Sequence, residues 1–144
     1  MKIGLSIVVG FLIALTPALA EEAPKEDASL TAWYAALQKP DVEALESLMA
    51  PDDLSPFEYD IKDLSVKQNR EEFIASMDEW VGAIAGGSIE YKITEAYEGG
   101  FNVLVCYRFV GSQLLAAEEV GVYDTKITRV SQVSKGDKCT GFEE

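Results

Sequence analysis

Residues 88–110 read SIEYKITEAYEGGFNVLVCYRFV, and the pattern of this stretch decides the fold class. Its first half alternates apolar and polar residues with a period of two, which predicts a strand with one buried face. Glu98, Gly99 and Gly100 predict a hairpin turn, because glycine accepts the positive φ of tight turns. Residues 101–110 are mostly apolar, which is typical of a central strand covered on both faces.

Two more strands are predicted downstream of this hairpin. Gly111 and Ser112 form a second turn signal, and residues 114–123 and 127–133 follow it with strand-like composition. Asp124, Thr125 and Lys126 predict the bend between them. The C-terminal half is therefore expected to be an antiparallel meander.

Upstream of the meander, apolar residues recur with helical spacing. Leu30, Trp33, Tyr34 and Leu37 form an amphipathic stripe, and Ser29 is predicted to cap that helix. Proline at position 40 interrupts the pattern. A second short helix is then predicted, capped by Asp41.

A short strand at 57–61 and a third helix complete the N-terminal half. Asn69 with Glu72 fits a capping box, and Ser65 with Gln68 offers a competing start. The apolar face of this third helix runs up to a glycine pair at 86–87. The predicted fold class is α+β, with three N-terminal helices packed on a curved antiparallel sheet in a cone-shaped, cystatin-like roll.

The first 20 residues are expected to be a secretory signal peptide. Lys2 precedes an uncharged run at 3–15, which is short for a bilayer span, and Ala18-Leu19-Ala20 fits a signal-peptidase site. Residues 21–28 are predicted to be a charged linker and 29–144 a single domain. The expected location is the periplasm or the outside of the cell, and the alternative is an uncleaved N-terminal anchor.

The chain is strongly acidic. Its 12 basic and 25 acidic side chains give a formal net charge of −13, and cleavage would remove one further positive charge with Lys2. Such a surface repels phosphate groups, so nucleic acid and, after signal removal, membranes are not expected partners. The plainer interpretation is that the charge keeps a small exported domain in solution.

The chain contains two cysteines and no histidine. In an oxidising compartment Cys106 and Cys139 are predicted to form a disulfide, which closes a loop of 33 residues and is worth roughly 3–4 kcal/mol. The missing histidine excludes Ser-His and Cys-His catalysis and the usual zinc sites. No metal and no cofactor are predicted.

The chain resembles the nuclear transport factor 2-like superfamily over about residues 30–133. Residues 33–45, WYAALQKPDVEAL, resemble the first helix, turn and second helix of that family, residues 69–73 the start of its third helix, and residues 124–130 its last hairpin. The resemblance implies a cone that encloses an apolar pocket, with a homodimer formed through the outer face of the sheet.

Isomerases of that superfamily use a tyrosine on the first helix, an aspartate base near the short strand and a second acid on the sheet. Trp33 stands where the tyrosine is expected, with Tyr34 beside it and expected to point elsewhere. Phe57 falls near the position of the base. Because only the sheet acid has a counterpart, at Glu118 or Glu119, isomerase chemistry of this type is not expected.

Several residues are candidates for a site. One of Glu118 and Glu119 should point into the cone, where burial would raise the pKa of its carboxyl group and suit it to acid–base catalysis; alternatively a bulge exposes both. Arg108 is an anion anchor, a dimer-interface residue or a solvated side chain. Six aromatic residues either line a ligand pocket or form core: Trp33, Tyr34, Tyr59, Trp80, Tyr91 and Tyr107.

Three functions follow from these residues. The leading interpretation is a non-enzymatic domain that binds a small apolar molecule or a protein partner in its cone. The alternative is a small lyase, isomerase or cyclase-like enzyme that uses Glu118 or Glu119 with a tyrosine. A structural homodimer or accessory subunit is the third. An empty apolar cavity would favour binding, a buried glutamate facing that cavity would favour the enzyme, and a filled cone would favour the structural role.

Overall fold

The computed structural model describes residues 27–53 and 56–142, so the predicted signal peptide and most of the predicted linker lie outside the described residues. The elements are, in chain order, α1 (Ala28–Gln38), α2 (Val42–Leu48), β1 (Glu58–Ile61), a 3-10 turn (Lys62–Leu64), β2 (Val66–Asn69), α3 (Arg70–Ala75), α4 (Met77–Ile84), β3 (Ser88–Tyr97), β4 (Gly100–Phe109), β5 (Ser112–Tyr123) and β6 (Lys126–Gly136).

The strands form one curved, open sheet in the order β2-β1-β6-β5-β4-β3, with helices packed on its inner face. Every neighbouring pair is antiparallel except β1 and β6, which run parallel. The β3–β4 hairpin turns at Gly99, whose φ of 95° is the left-handed conformation that glycine favours. The predicted α+β class and the antiparallel meander are confirmed.

The first helix starts two residues earlier than a cap at Ser29 would place it, because Asp27 caps it instead. The Asp27 carboxylate accepts from the backbone N–H of Ser29 at 2.8 Å and of Leu30 at 3.4 Å. The Ser29 hydroxyl instead donates to the carbonyl of Thr125 at 2.9 Å, which joins the helix to the turn between β5 and β6. The prediction for Asp41 is confirmed, since its carboxylate accepts from Ala44 N–H at 3.1 Å.

The third predicted helix is divided in two. Its capping box is confirmed, because Asn69 accepts from the N–H of Glu72 and Glu72 accepts from the N–H of Asn69. The helix ends at Ser76, whose hydroxyl donates to the carbonyl of Phe73 at 2.6 Å, a local bond that competes with helical hydrogen bonding. Strand β2 just before it was not predicted, since its four residues are largely exposed and show no alternation.

The core lies between the helices and the inner face of the sheet. Its centre is an aromatic cluster in which Trp33 stacks on Phe73 at 5.6 Å between ring centroids, with Phe57 tilted against both rings. Trp33 and Phe57 are almost completely buried. No helix among the described residues is long and apolar enough to cross a membrane.

A second, smaller cluster lies on the outer face of the sheet. The predicted disulfide is confirmed: Cys106 of β4 bonds to Cys139, with 5.5 Å between their Cα atoms. Leu115 and Phe142 pack around the bridge. The C-terminal segment 137–142 therefore covers part of the face that the antiparallel meander would otherwise leave open.

Candidate functional site

The two adjacent glutamates of β5 have opposite environments. Glu118 is 3% exposed and lies on the inner face with Ala116 and Val120, whereas the side chain of Glu119 is 47% exposed. This follows from the two-residue period of a strand, and no bulge falls between the two positions. Glu118 is therefore the sheet acid that points into the cone.

Three side chains from three different elements donate hydrogen bonds to Glu118. The hydroxyl of Tyr34, on α1, donates to its Oε1 at 2.6 Å. The hydroxyl of Tyr107, on β4, and the amide nitrogen of Gln132, on β6, both donate to Oε2, the latter at 2.9 Å. Both carboxylate oxygens therefore have donors, and the carboxylate links the first helix to the middle of the sheet.

The expectation that Tyr34 points away from the sheet acid is wrong. Successive residues of a helix are turned by about 100°, so Trp33 and Tyr34 can both lie on a broad buried face. Trp33 enters the aromatic core, and Tyr34 reaches Glu118. A tyrosine of the first helix therefore contacts the inward-pointing glutamate, one residue along from Trp33.

Burial sets the protonation behaviour of the network. It raises the pKa of the Glu118 carboxyl group above its ordinary value of 4.5, and the hydrogen bonds from Tyr107, Tyr34 and Gln132 partly oppose that rise. Burial, followed by the charge of Glu118, raises the pKa of the Tyr34 and Tyr107 hydroxyls well above 10. The tyrosines therefore stay neutral donors at physiological pH.

A cavity of about 320 Å³ opens beside this network. Its size is at the lower end of the range of small-molecule sites. The residues that line it are Leu37, Tyr59, Ile61, Gln68, Phe73, Ser76, Met77, Glu79, Trp80, Ala83, Tyr107, Phe109, Leu114 and Gln132. Glu118 is not among them, because Tyr107 and Gln132 stand between its carboxylate and the cavity.

Trp80, Tyr107 and Phe109 form one wall of the cavity. Tyr107 and Phe109 are nearly parallel, at 6°, and Trp80 meets both edge-on, at 90° and 86°. The Trp80 indole N–H donates to the carbonyl of Leu37 at 2.8 Å, which fixes the ring. The wall is thus preformed and presents aromatic surface to a ligand.

The polar end of the cavity consists of Tyr59, Tyr107 and Gln132. Besides its bond to Glu118, the Gln132 amide nitrogen donates to the Tyr59 hydroxyl at 3.3 Å. Burial and the charge of Glu118 raise the pKa of the Tyr59 hydroxyl well above 10. The site therefore combines mostly apolar walls with one hydrogen-bonding end, which suits recognition of a ligand with a single polar group.

The structure brings together only some of the aromatic candidates. Tyr59, Trp80 and Tyr107 line the cavity. Trp33 lies in the core and Tyr34 behind the polar end. Tyr91 stacks on Tyr34 at 4.7 Å, and its hydroxyl is 2.9 Å from that of Thr31 at the protein surface.

Arg108 lies on the outer face, away from the cavity. Its guanidinium forms an ion pair with Glu90 of β3 and donates to the carbonyl of Phe142 at 3.4 Å. Lys92 on the same strand as Glu90 lies 4.8 Å from the centre of the Phe142 ring. Arg108 therefore holds the C-terminal segment against the sheet within one chain.

Gln132 and Glu79 are site residues that no sequence pattern indicated. Gln132 lies directly opposite Glu118 in the β5–β6 ladder, a pairing that could be found only from the strand register. Glu79 lines the cavity from α4 and is the one charged residue of that lining in the described chain. No group of three or more potential metal ligands occurs among residues 27–53 and 56–142.

No protein-family profile and no curated protein matches the sequence. Solved structures do match. A putative ketosteroid isomerase from Kribbella flavida has a TM-score of 0.59 and 17% identity over 81% of this chain and 79% of that one. An NTF-2 like protein of unknown function from Burkholderia xenovorans has a TM-score of 0.61 and 13% identity over 81% of this chain and 84% of that one. An LEH-like epoxide hydrolase from M. tuberculosis has a TM-score of 0.55 and 16% identity over 74% of this chain and 80% of that one.

These similarities define the class of fold. The chain has the cone-shaped fold of nuclear transport factor 2-like proteins, as its sequence pattern indicated. Besides the isomerase and the hydrolase, neighbours with this fold include a putative polyketide cyclase from Streptomyces antibioticus. At identities this low the likeness defines the fold alone, and function has to be argued from the site.

Proposed function

We propose that this protein is an exported domain that binds a small, largely apolar molecule in the cavity between α4 and the sheet. The observation that carries the proposal is the cavity of about 320 Å³, with an aromatic wall and one polar end. An open apolar cavity of this kind favours binding over a purely structural role, for which side chains would fill the space. The disulfide fits an oxidising compartment outside the cytoplasm.

The position of Glu118 favours binding over catalysis. Both of its oxygens already accept hydrogen bonds, and Tyr107 and Gln132 separate it from the cavity. A general acid or base has to come within hydrogen-bond reach of the proton that it transfers. Glu118 acts instead as the fixed acceptor that orients the polar end.

The experiment is native mass spectrometry of the protein recovered from the export compartment, combined with a titration with phenylnaphthylamine, a neutral apolar fluorophore. Ala83 lines the cavity on α4, so Ala83→Trp should fill its entrance and reduce probe binding at least tenfold. Ala75→Trp is the matched control on α3, away from the lining. Equal binding by both variants would contradict the cavity as the site.

An enzyme is the second candidate, on the observation that Tyr107 contacts both the cavity and Glu118. A proton could pass between a substrate and Glu118 through this hydroxyl. Under this proposal a ligand recovered with the wild-type protein changes mass on incubation, and Glu118→Gln abolishes that change. A ligand that stays unchanged with the wild-type protein counts against the enzyme.

A homodimer through the outer face is a further proposal on the assembly. The C-terminal segment covers the end of that face near Arg108, and Leu104, Ala117 and Val133 lie in a shallow depression on the rest of it. Val133 is 37% exposed, which leaves apolar surface for a partner. Val133→Glu should convert a dimer to a monomer in sedimentation velocity, whereas a wild-type monomer would refute the dimer.

A further inference from the structure

At the polar end of the cavity, Tyr107 and Gln132 use their donor groups on other residues of the protein. Gln132 uses its amide nitrogen for both Glu118 and Tyr59, so its carbonyl oxygen is the atom left for a ligand. Tyr107 gives its proton to Glu118 and keeps oxygen lone pairs. Because a carboxylate only accepts, the buried Glu118 turns the donors of Tyr107 and Gln132 inward and leaves their acceptor atoms for a ligand, whereas Tyr59 accepts from Gln132 and keeps its own O–H.

The charges around the cavity have one sign. Glu79 is the one charged residue of the lining, and no lysine or arginine lines the cavity in the part of the chain that the structure describes. Glu118 lies directly behind the polar end. The whole chain carries a formal net charge of −13, so the long-range field also repels anions and attracts cations.

The aromatic lining suits a cation equally well. Five rings border the cavity: Tyr59, Phe73, Trp80, Tyr107 and Phe109. The faces of such rings carry partial negative charge and attract ammonium groups, by about 0.5–2 kcal/mol for one contact depending on desolvation. Acceptor atoms, the Glu79 carboxylate and ring faces therefore all favour the same kind of ligand.

We infer that the ligand is an organic ammonium ion, an apolar amine whose protonated nitrogen lies at the Tyr107–Gln132 end and whose hydrocarbon part lies against Trp80 and Phe109. This inference rests on the proposed binding function and names its ligand class. A protonated amine supplies the N–H donors that the Gln132 carbonyl and the Tyr107 oxygen lack. A carboxylate or phosphate ligand would meet acceptors and like charge instead.

The test compares three ligands of similar size and different charge by isothermal titration calorimetry at neutral pH: phenethylammonium, phenethyl alcohol and phenylacetate. The expected order is cation over neutral by roughly tenfold, with the anion weakest. If the alcohol binds as tightly as the cation, the ammonium inference is overturned and the binding function stands. If none of the three binds, both fail.

Variants that remove one charge at an exposed position provide a second test and leave the packing of the core unchanged. Glu79→Gln should weaken the cation about two- to threefold and leave the alcohol unchanged, because an exposed charge is screened but still near the ligand. Asp78→Asn is the control, with the same change in charge at the neighbouring position of α4 outside the lining. Equal effects of the two variants would show bulk electrostatics alone and contradict the binding of the cation in this cavity.

Discussion

The hydroxyl of Tyr34 donates a hydrogen bond of 2.6 Å to the carboxylate of Glu118, across 84 residues of sequence. Both groups are buried, and the bond joins the first helix to the inner face of the sheet. A carboxylate in such surroundings requires donors, because an unpaired buried charge costs several kcal/mol. The network around Glu118 therefore stabilises the cone, and its members Tyr107 and Gln132 also form the polar end of the cavity.

Tyr34→Phe should destabilise the protein by about 2 kcal/mol, since the bond to a buried carboxylate is lost while the ring remains. Urea unfolding followed by circular dichroism measures the change. Tyr91→Phe is the matched control, because that ring stacks on Tyr34 but its hydroxyl contacts Thr31 at the surface. Its effect should stay within about 0.5 kcal/mol. Equal losses in the two variants would contradict the special role of the Tyr34 hydroxyl.

The raised pKa of Glu118 makes stability depend on pH. The folded state holds this proton more tightly than the unfolded chain, so the contribution of Glu118 to stability is greatest below about 4.5 and is lost as the pH rises through the folded-state pKa. The neighbouring titratable groups, Tyr34, Tyr59 and Tyr107, stay neutral in this window because their pKa values are raised well above 10.

Glu118→Gln should therefore remove part of the pH dependence. The difference in unfolding free energy between variant and wild type is expected to move in favour of the variant as the pH rises above about 4.5. Glu119→Gln, the exposed neighbour, serves as the control for the loss of one carboxyl group from the same strand. Parallel curves for Glu118→Gln and the wild type would show that the carboxyl group does not titrate as described.

Loss of the disulfide should cost about 3–4 kcal/mol, because the bridge closes a loop of 33 residues in the unfolded chain. The double variant Cys106→Ala, Cys139→Ala and the reduced wild type should unfold at the same lowered urea concentration. Reductant should have no effect on the double variant. A wild-type midpoint that reductant does not change would contradict a stabilising bridge.

Gly87 is predicted to be intolerant of a side chain. A Cβ at this position would lie 2.1 Å from the carbonyl oxygen of Arg108, so Gly87→Ala has to push β4 aside and should cost about 1–3 kcal/mol. Gly82 on α4 is the control, because a Cβ there would have no atom within 4 Å beyond its own helix backbone and chain neighbours. Gly82→Ala should stabilise the helix by about 0.5–1 kcal/mol. In thermal unfolding, Gly87→Ala should lower the Tm and Gly82→Ala should raise it.

The elements that could be predicted from the sequence are those with local signals. Period-two alternation and glycine turns predicted β3 to β6, and the Asn69–Glu72 spacing predicted the start of α3. The two-residue error in the cap of α1 arose because two cap formers, Asp27 and Ser29, compete, and only the contact of Ser29 with Thr125 decides between them. Strand β2 was not predicted, because it forms through pairing with β1 and its own residues show no strand-like alternation.

The site was less predictable because its contacts are long-range. That one of two adjacent glutamates would point inward follows from strand geometry, but which one depends on the register of the meander. The pairing of Gln132 with Glu118 depends on the irregularity between Gly121 and Val122, which lies between this pair and the hairpin turn, and no local sequence signal fixes it. The position of Tyr34 depends on how far α1 is rotated on the sheet.

The most direct test of the cavity is nuclear magnetic resonance of the labelled protein during titration with phenethylammonium and, in parallel, phenethyl alcohol. Two indole N–H signals act as internal reporters, since Trp80 lines the cavity and Trp33 lies in the closed aromatic core. We expect the signals of the Trp80 indole and the Gln132 side-chain amide to shift in a saturable way while the Trp33 indole signal stays in place. Shifts confined to residues outside the cavity, or no saturable shift with either compound, would contradict it.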